Sequence, residues 1–331
     1  MKNQIGKHLG VIAIPAEQLS YWDLLKATVI TFLGLIAVFS ANLIDTFFVS
    51  QLGTRELAAL SLVLPIANLL VALLIGLGIG VSVSGSQLGD GKLKTLNFTV
   101  LLLSFFISCL LSCVLIFTVP VLLNAMGGSD ELIELGKSYL FVWLLSFPFL
   151  AICMVGAAIL RGQKKMAEAS RIMMGISIIS SCLDPVFIFG WFGLPELGIT
   201  GAAIASLVAK VITAAYTVAL LYKQFQWRLA AVLQFWHLKS TVAGMVKLSL
   251  AAMFNRVQTP ISVLLATALM AWHSEVAVAS FGLVNAIQGF SIVWLSALAN
   301  TIAPYLGSAI KQHHTEQVLR VLRYSLIFMG G

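Results

Sequence analysis

Charge is scarce in this sequence. Only 20 of its 331 residues are Lys or Arg and 13 are Asp or Glu, so 10% are charged, against about 25% in an ordinary soluble domain. That shortage excludes a water-soluble globular protein. With 60% hydrophobic residues and a mean hydropathy of +0.99, the chain reads as an integral membrane protein. Cysteine is nearly absent: Cys109, Cys113, Cys153 and Cys182 lie in apolar runs without a His or Cys partner at metal-ligand spacing. This excludes a zinc or disulfide framework and leaves them as small packing hydrophobes. The N-terminal stretch MKNQIGKHLGVIAIPAEQLSYWD lacks the apolar core and small-residue cleavage site of a signal peptide, so residues 1–24 are expected to be a retained cytoplasmic tail.

What the chain has instead is apolar runs. About 20 mostly apolar residues span a bilayer as a helix, and eight runs qualify: Ala27–Ser50, Leu57–Ser84, Leu96–Val119, Ser138–Leu160, Ile172–Gly190, Thr200–Tyr222, Leu248–Trp272 and Val276–Tyr305. A ninth is expected to start near Tyr324, with the chain ending inside it. Lys and Arg collect in alternate loops, for example Lys92, Arg161, Arg171, Lys223 and Arg320, while the opposite loops hold Glu56, Asp130, Glu131, Glu196 and Glu275. The basic side is cytoplasmic by the positive-inside rule. The net charge of +7 is therefore topological, and no nucleic-acid partner is expected.

The sequence also repeats itself. ELAALSLVLPI, Glu56 to Ile66, returns as EVAVASFGLVNAI from Glu275, and GSQLGDGKLKTL from Gly85 as GSAIKQHHTEQV from Gly307, at offsets of 219 and 222 residues. Six spans lie between the copies, and an even number keeps their direction, so the repeats are parallel, a known transporter plan. Doubling the period predicts a full length of about 440 residues with twelve helices. The expected divisions are an N-lobe over residues 25–222, an inter-lobe linker over 223–247 carrying Trp227, Phe235 and Trp236, and a partial C-lobe over 248–331.

Within this apolar frame two acids stand out, Asp45 in the first span and Asp184 in the fifth, the latter followed by Pro185. A charge at membrane depth faces a bundle interior or a watery cavity and is a functional candidate, and a proline frees carbonyls beside it by bending the helix. Counted at about 1.5 Å per residue, Asp45, Asp184 and Ser206 all lie about 9 Å below the outer surface. Equal depth permits one shared site. Two carboxylates in a low-dielectric cavity make a proton carrier or a cation trap. Alternatively each acid is capped by a hydroxyl such as Ser180 or Thr46 and pins helices together. Asn42, one turn from Asp45, serves either reading. Lys210, one turn from Ser206, is placed to reach towards Asp184, where it would oppose proton loading or pin helices; Arg256 is placed to snorkel. Phe147, Phe149, Trp191 and Trp294 are interfacial or core aromatics, or a stacking surface for a flat ligand.

NLIDTFFVSQLGTRELAALSLVLPI, Asn42 to Ile66, and LDPVFIFG with LGITGAAIASLVAK, Leu183 to Lys210, resemble the first-helix and fifth-to-sixth-helix signatures of the multidrug and toxic compound extrusion (MATE) family. The resemblance implies an all-α membrane protein of two six-helix lobes, twelve helices in full, eight complete here with the start of a ninth. It implies an antiporter and no enzyme. Small organic compounds, cationic or amphipathic, would leave in exchange for protons or sodium, with Asp45 and Asp184 as coupling acids and Asn42, Ser180, Ser206 and Lys210 around them. Ser180 stands where the family often has Asn, and Arg256 about where sodium-coupled NorM-like members have Glu. The chain thus looks most like the DinF-like branch, coupled by protons through the N-lobe. No cofactor and no metal are expected beyond the coupling ion, H+ before Na+; the protein is expected to be a monomer among the lipids of the cell membrane.

Two other functions fit the residues less well. A lipid-linked oligosaccharide flippase of the same superfamily would need several cavity cations for its anionic substrate, and only Lys210 and Arg256 are available. An intramembrane aspartyl protease would carry Tyr-Asp and Gly-x-Gly-Asp motifs, whereas Asp45 follows Ile44, Asp184 follows Leu183, and Asp90 follows Gln87-Leu88-Gly89.

Overall fold

The computed structural model describes residues 21–88, 90–126, 129–193, 195–225, 239–311 and 315–330. Within them the chain is helical almost throughout: α1 (Tyr21–Leu52), α2 (Thr54–Ser86), α3 (Asp90–Ala125), α4 (Asp130–Gly162), α5 (Met166–Ile188), α6 (Gly198–Phe225), α7 (Lys239–Ala271), α8 (Glu275–Ser291), α9 (Val293–Lys311) and α10 (Thr315–Gly330). Seven of these, α1 to α6 and α9, are long and apolar enough to cross a membrane. Each of the first six meets an expected span and usually overruns it, except that α5 ends at Ile188, short of Gly190. A 33-residue helix such as α4 is about 50 Å long, well beyond the hydrocarbon thickness of about 30 Å.

Three expectations need correction in the second part of the chain. The run Val276–Tyr305 is not one helix: it breaks at Ile292 between α8 and α9, just after Gly289, which Phe39 of α1 approaches so closely that a Cβ there would lie 3.0 Å from its ring. The last helix begins at Thr315 and not near Tyr324, because Thr315–Arg323 form an amphipathic turn set with Glu316, Arg320 and Arg323 exposed and Val321 buried. The span Leu248–Trp272 is the third: α7 holds it, but Asn255, Arg256 and Gln258 dilute its middle, and it does not reach the apolarity of the seven. The N-terminal tail and most of the linker, with Trp227, Phe235 and Trp236, lie outside the described residues.

The core is built around α2 and α4. Helix α2 packs on α7, α4, α8 and α9, and α4 on α3, α5 and α6. Small residues permit these approaches, as membrane helices require in the absence of a hydrophobic drive between them. Gly34 of α1 sits against Ser170 of α5, whose hydroxyl donates to the Ile30 carbonyl at 2.9 Å, and Gly156 of α4 faces Thr217 of α6. The α4–α5 turn closes as a Schellman motif: Lys164 takes the left-handed φ of 61°, its N–H donates to the Arg161 carbonyl at 2.8 Å, and that of Lys165 to the Leu160 carbonyl at 3.0 Å. Lys164 then lies 4.9 Å over the Tyr305 ring of α9. Around it Leu24, Met166, Leu298, Ile302 and Val321 form a cluster that ties α1, α5, α9 and α10 together at one end. At the same end Gln87 Nε2 donates to the Gly307 carbonyl at 3.1 Å.

The four cysteines are unpaired, but only Cys153 is buried; Cys113 and Cys182 are exposed on their helices and Cys109 is partly covered. The packing role expected for all four holds for one. The other three sit on outward faces of α3 and α5, where a small apolar side chain suits lipid.

Candidate functional site: an acid pair between α1 and α5

Asp45 and Asp184 meet. Helices α1 and α5 pack side by side, held about three to four turns from the acids by the Gly34–Ser170 approach, and the two carboxyl groups interact directly as a side-chain pair. Asp184 is wholly buried and Asp45 half-buried. Pro185 occupies the last turn of α5 and so ends the helix instead of bending its middle. The chain beyond it returns at once: Leu197 N–H donates to the Phe187 carbonyl at 3.2 Å, and Gly201 of α6 rests on that same carbonyl with no room for a Cβ.

The pair lacks donors. Apart from the contact the two carboxyls make with each other, no hydrogen bond from the described residues reaches Asp45 Oδ1 or either oxygen of Asp184. The hydroxyls expected to cap them do not. Thr46 donates to the Asn42 carbonyl at 2.7 Å, and Ser180, buried one turn from Asp184, has an unpartnered Oγ. Asn42 is exposed, and no hydrogen bond joins its side chain to either acid. Ser206 is half-buried on α6.

Lys210 departs from its expected place. It is 4% exposed and turns to α4 instead of Asp184: Nζ donates to Ser146 Oγ at 2.8 Å and stands 4.8 Å from the Trp143 ring centroid. Its electrostatic partner among the acids is Asp45, without an ion pair. The cause is that α6 packs on α4 as well as on α5, so a long side chain on it has two neighbours to choose from. Arg256 is half-buried on α7.

Sequence reasoning missed the α4 contribution. Tyr139 interacts electrostatically with both acids, and Tyr139, Trp143, Ser146 and Phe147 form one stripe at helical spacing, with Trp143 stacked on Phe147 at 5.8 Å. The spacing was there to be read, but aromatics in an apolar run ordinarily signal packing. The other aromatics are structural: Phe149 meets Phe105 and Trp294 meets Phe32, both edge-on, and Trp191 is exposed.

Residues 31–189, which include both acids, match the MatE family model. A FAD transporter of Shewanella oneidensis is 28% identical over 92% of this chain and 69% of its own length. The probable multidrug resistance protein YoeA of Bacillus subtilis is 24% identical over 83% and 61%, and the uncharacterized transporter YisQ of the same species is 26% identical over 85% and 64%. The chain thus spans roughly two thirds of the length of these relatives. In fold it is similar to a point mutant of the Vibrio cholerae MATE transporter VcmN, with a TM-score of 0.81 at 24% identity, covering 93% of this chain and 70% of that one. The chain thus carries a MatE domain over residues 31–189, and as a multipass helical membrane protein it is similar to these transporters in sequence and to VcmN in fold.

Proposed function

We propose that this protein is a secondary antiporter of the cell membrane that exports cationic or amphipathic organic compounds in exchange for inward protons, with sodium the less favoured coupling ion. Helices α1 to α6 form its N-lobe, α7 to α10 belong to the second lobe, the N-terminus is cytoplasmic, and the protein works as a monomer among lipids. The observation that carries this reading is the donorless pair of Asp45 and Asp184. Buried polar groups are ordinarily hydrogen-bonded, and a buried charge is paired. Here the missing partner is something that comes and goes: one shared proton, or a cation. A static helix pin would instead use the hydroxyls beside it, and Thr46 and Ser180 stay out. A bound proton removes the attraction for an organic cation, which gives the two states the differential affinity that exchange requires.

The test is pH-driven efflux with neutralised acids. Asp45→Asn abolishes it and Asp184→Asn impairs it severely, with protein level and folding near normal. Transport by Asp45→Asn at wild-type rates under a proton gradient, or a strict sodium requirement without response to pH, would overturn the reading.

The Shewanella relative, whose match runs over 92% of this chain, favours a second reading of the cargo, a flavin nucleotide. Flavin measured in the medium of cells expressing the protein separates the two, since drug export alone leaves it unchanged.

A further inference from the structure

Buried hydroxyls run down α5 from the acid pair. Ser170, Ser177, Ser180 and Asp184 are 7%, 5%, 4% and 0% exposed, and with Met166 and Met173 they fall within one arc of about 80° of the helix. That arc faces α1: Asp184 meets Asp45 at one end, and Ser170 Oγ donates to the Ile30 carbonyl at 2.9 Å near the other. Between them Ser180 Oγ has no partner among the described residues, and Ser177 donates to the Met173 carbonyl at 3.1 Å, which leaves its lone pairs free. At the foot of the stripe lies a small cavity, about large enough for one water, lined by Thr31, Arg161, Met166, Ser170 and Met173 among others. A row of small residues alone would be packing. This row differs in that its upper end holds the unpartnered, buried oxygens of Asp184 and Ser180 and its lower end has room for water.

We propose that this seam between α1 and α5 is the route by which a proton leaves the acid pair for the cytoplasm, with Ser180 and Ser177 as its relay and Met173 as its gate. The proposal rests on the acid pair being the coupling site and on the basic loops being cytoplasmic. The rise along α5 is about 6 Å from Asp184 to Ser180 and about 4.5 Å from Ser180 to Ser177, and two hydrogen bonds of about 2.8 Å through one water cover either step. A serine hydroxyl both donates and accepts. Asp184 passes its proton to Ser180 Oγ while that hydroxyl gives its own proton to the next water, which the Ser177 lone pairs hold; Asp184 is left a carboxylate, and one proton has moved on. Met173 stands one turn further, buried between Ser177 and the cavity it lines. Its flexible apolar side chain closes the seam in this conformation, so protons do not leak through the N-lobe. At the foot Arg161 sets a fixed positive charge, without an ion pair among the described residues, so a proton that arrives there moves on to bulk water. Glu168 lies on the far side of α5 from the stripe.

Proton flux through the full-length protein in proteoliposomes, followed with an enclosed pH dye, tests this. Valine and threonine have nearly the same shape, and of the two only threonine carries a hydroxyl. Drug-coupled proton flux is expected to fall at least about tenfold in Ser177→Val and Ser180→Val, since a positioned proton carrier is worth about 10²–10⁴-fold, and to stay near wild type in Ser177→Thr and Ser180→Thr. Thr213→Val removes another unpartnered, buried hydroxyl, one that faces Gly175 on the opposite side of α5, and is expected to change nothing. Met173→Ala opens the gate, so that proton flux appears without drug and vanishes again in Met173→Ala/Asp184→Asn. Equal rates in the valine and threonine variants, a loss in Thr213→Val as large as theirs, no drug-free flux through Met173→Ala, or drug-free flux that survives Asp184→Asn would each overturn the proposal. If the valine variants do not fold, Met173→Ala decides alone. The coupling role of the acids has its own readout: Asp45→Asn with the seam intact loses or keeps pH-driven transport whatever the serine variants do.

Discussion

Ser61 of α2 lies against Gly282 of α8 with no space between them for a Cβ. The same helix α2 is approached again 25 residues on, where a Cβ on Gly307 of α9 would come 2.8 Å from Val83 Cγ1 and 3.0 Å from Ser86 Oγ. Two glycines thus let α8 and α9 lie close along α2.

Gly282→Ala therefore strikes a point where α2 and α8 already touch. The new methyl meets the Ser61 side chain down to its Cβ, and overpacking of this kind costs about 1–3 kcal/mol. Thermal unfolding of the purified protein is expected to shift down by several degrees, and Ser61→Gly in the same chain restores most of the loss. Equal and additive effects of the two substitutions would show that they do not share the contact.

Gly201→Ala acts on the acid pair from a distance. Its methyl would press on the Phe187 carbonyl and the adjoining Ile188 backbone, which cannot swing aside as a side chain does, and the turn after Pro185 has to move. The expected outcome is a stability loss of about 1–3 kcal/mol with a larger proportional loss of transport per folded molecule. Transport that falls only in step with folded protein would mean that the turn does not position Asp184.

Arg55 and Glu131 form a 2.7 Å ion pair with both side chains 65% exposed. Such pairs contribute between about 0 and 1 kcal/mol. Arg55→Ala is expected to leave the melting temperature within a degree or two of wild type and transport unchanged, as measured side by side in low salt.

Orientation is testable at Ala167, which is exposed at the start of α5 among Lys164, Lys165 and Arg171. With the exposed Cys113 and Cys182 replaced by Ala, Ala167→Cys is expected to resist an impermeant thiol reagent applied to intact cells and to react after permeabilisation. Labelling from outside intact cells would invert the proposed topology.

The parts legible in the sequence were those that follow from burial alone. Hydropathy marks a span whatever its neighbours are, so the first six helices were found, and an acid such as Asp184 advertises its cost in any apolar run. Rotation about a helix axis is different. Lys210 shares a face with Ser206, but whether that face meets α4 or α5 depends on where two other helices pack, and the stripe of Tyr139, Trp143 and Ser146 gains its meaning only when Lys210 arrives beside it. The break at Ile292 was hidden for a similar reason: a change of helix direction within a wholly apolar stretch alters no hydropathy, and its trace is Gly289, read only once Phe39 is seen against it.

That break makes the two repeats mechanically unlike. In the first, α2 is one unbroken 33-residue rod; in the second, its counterpart is two shorter pieces, 17 and 19 residues long, joined at a single residue. Symmetry of sequence therefore does not carry over into symmetry of leverage. A probe on α2 reports one rigid body from end to end, whereas a probe on α8 and another on α9 sit on separate levers, and a distance change seen at one of them says nothing about the other.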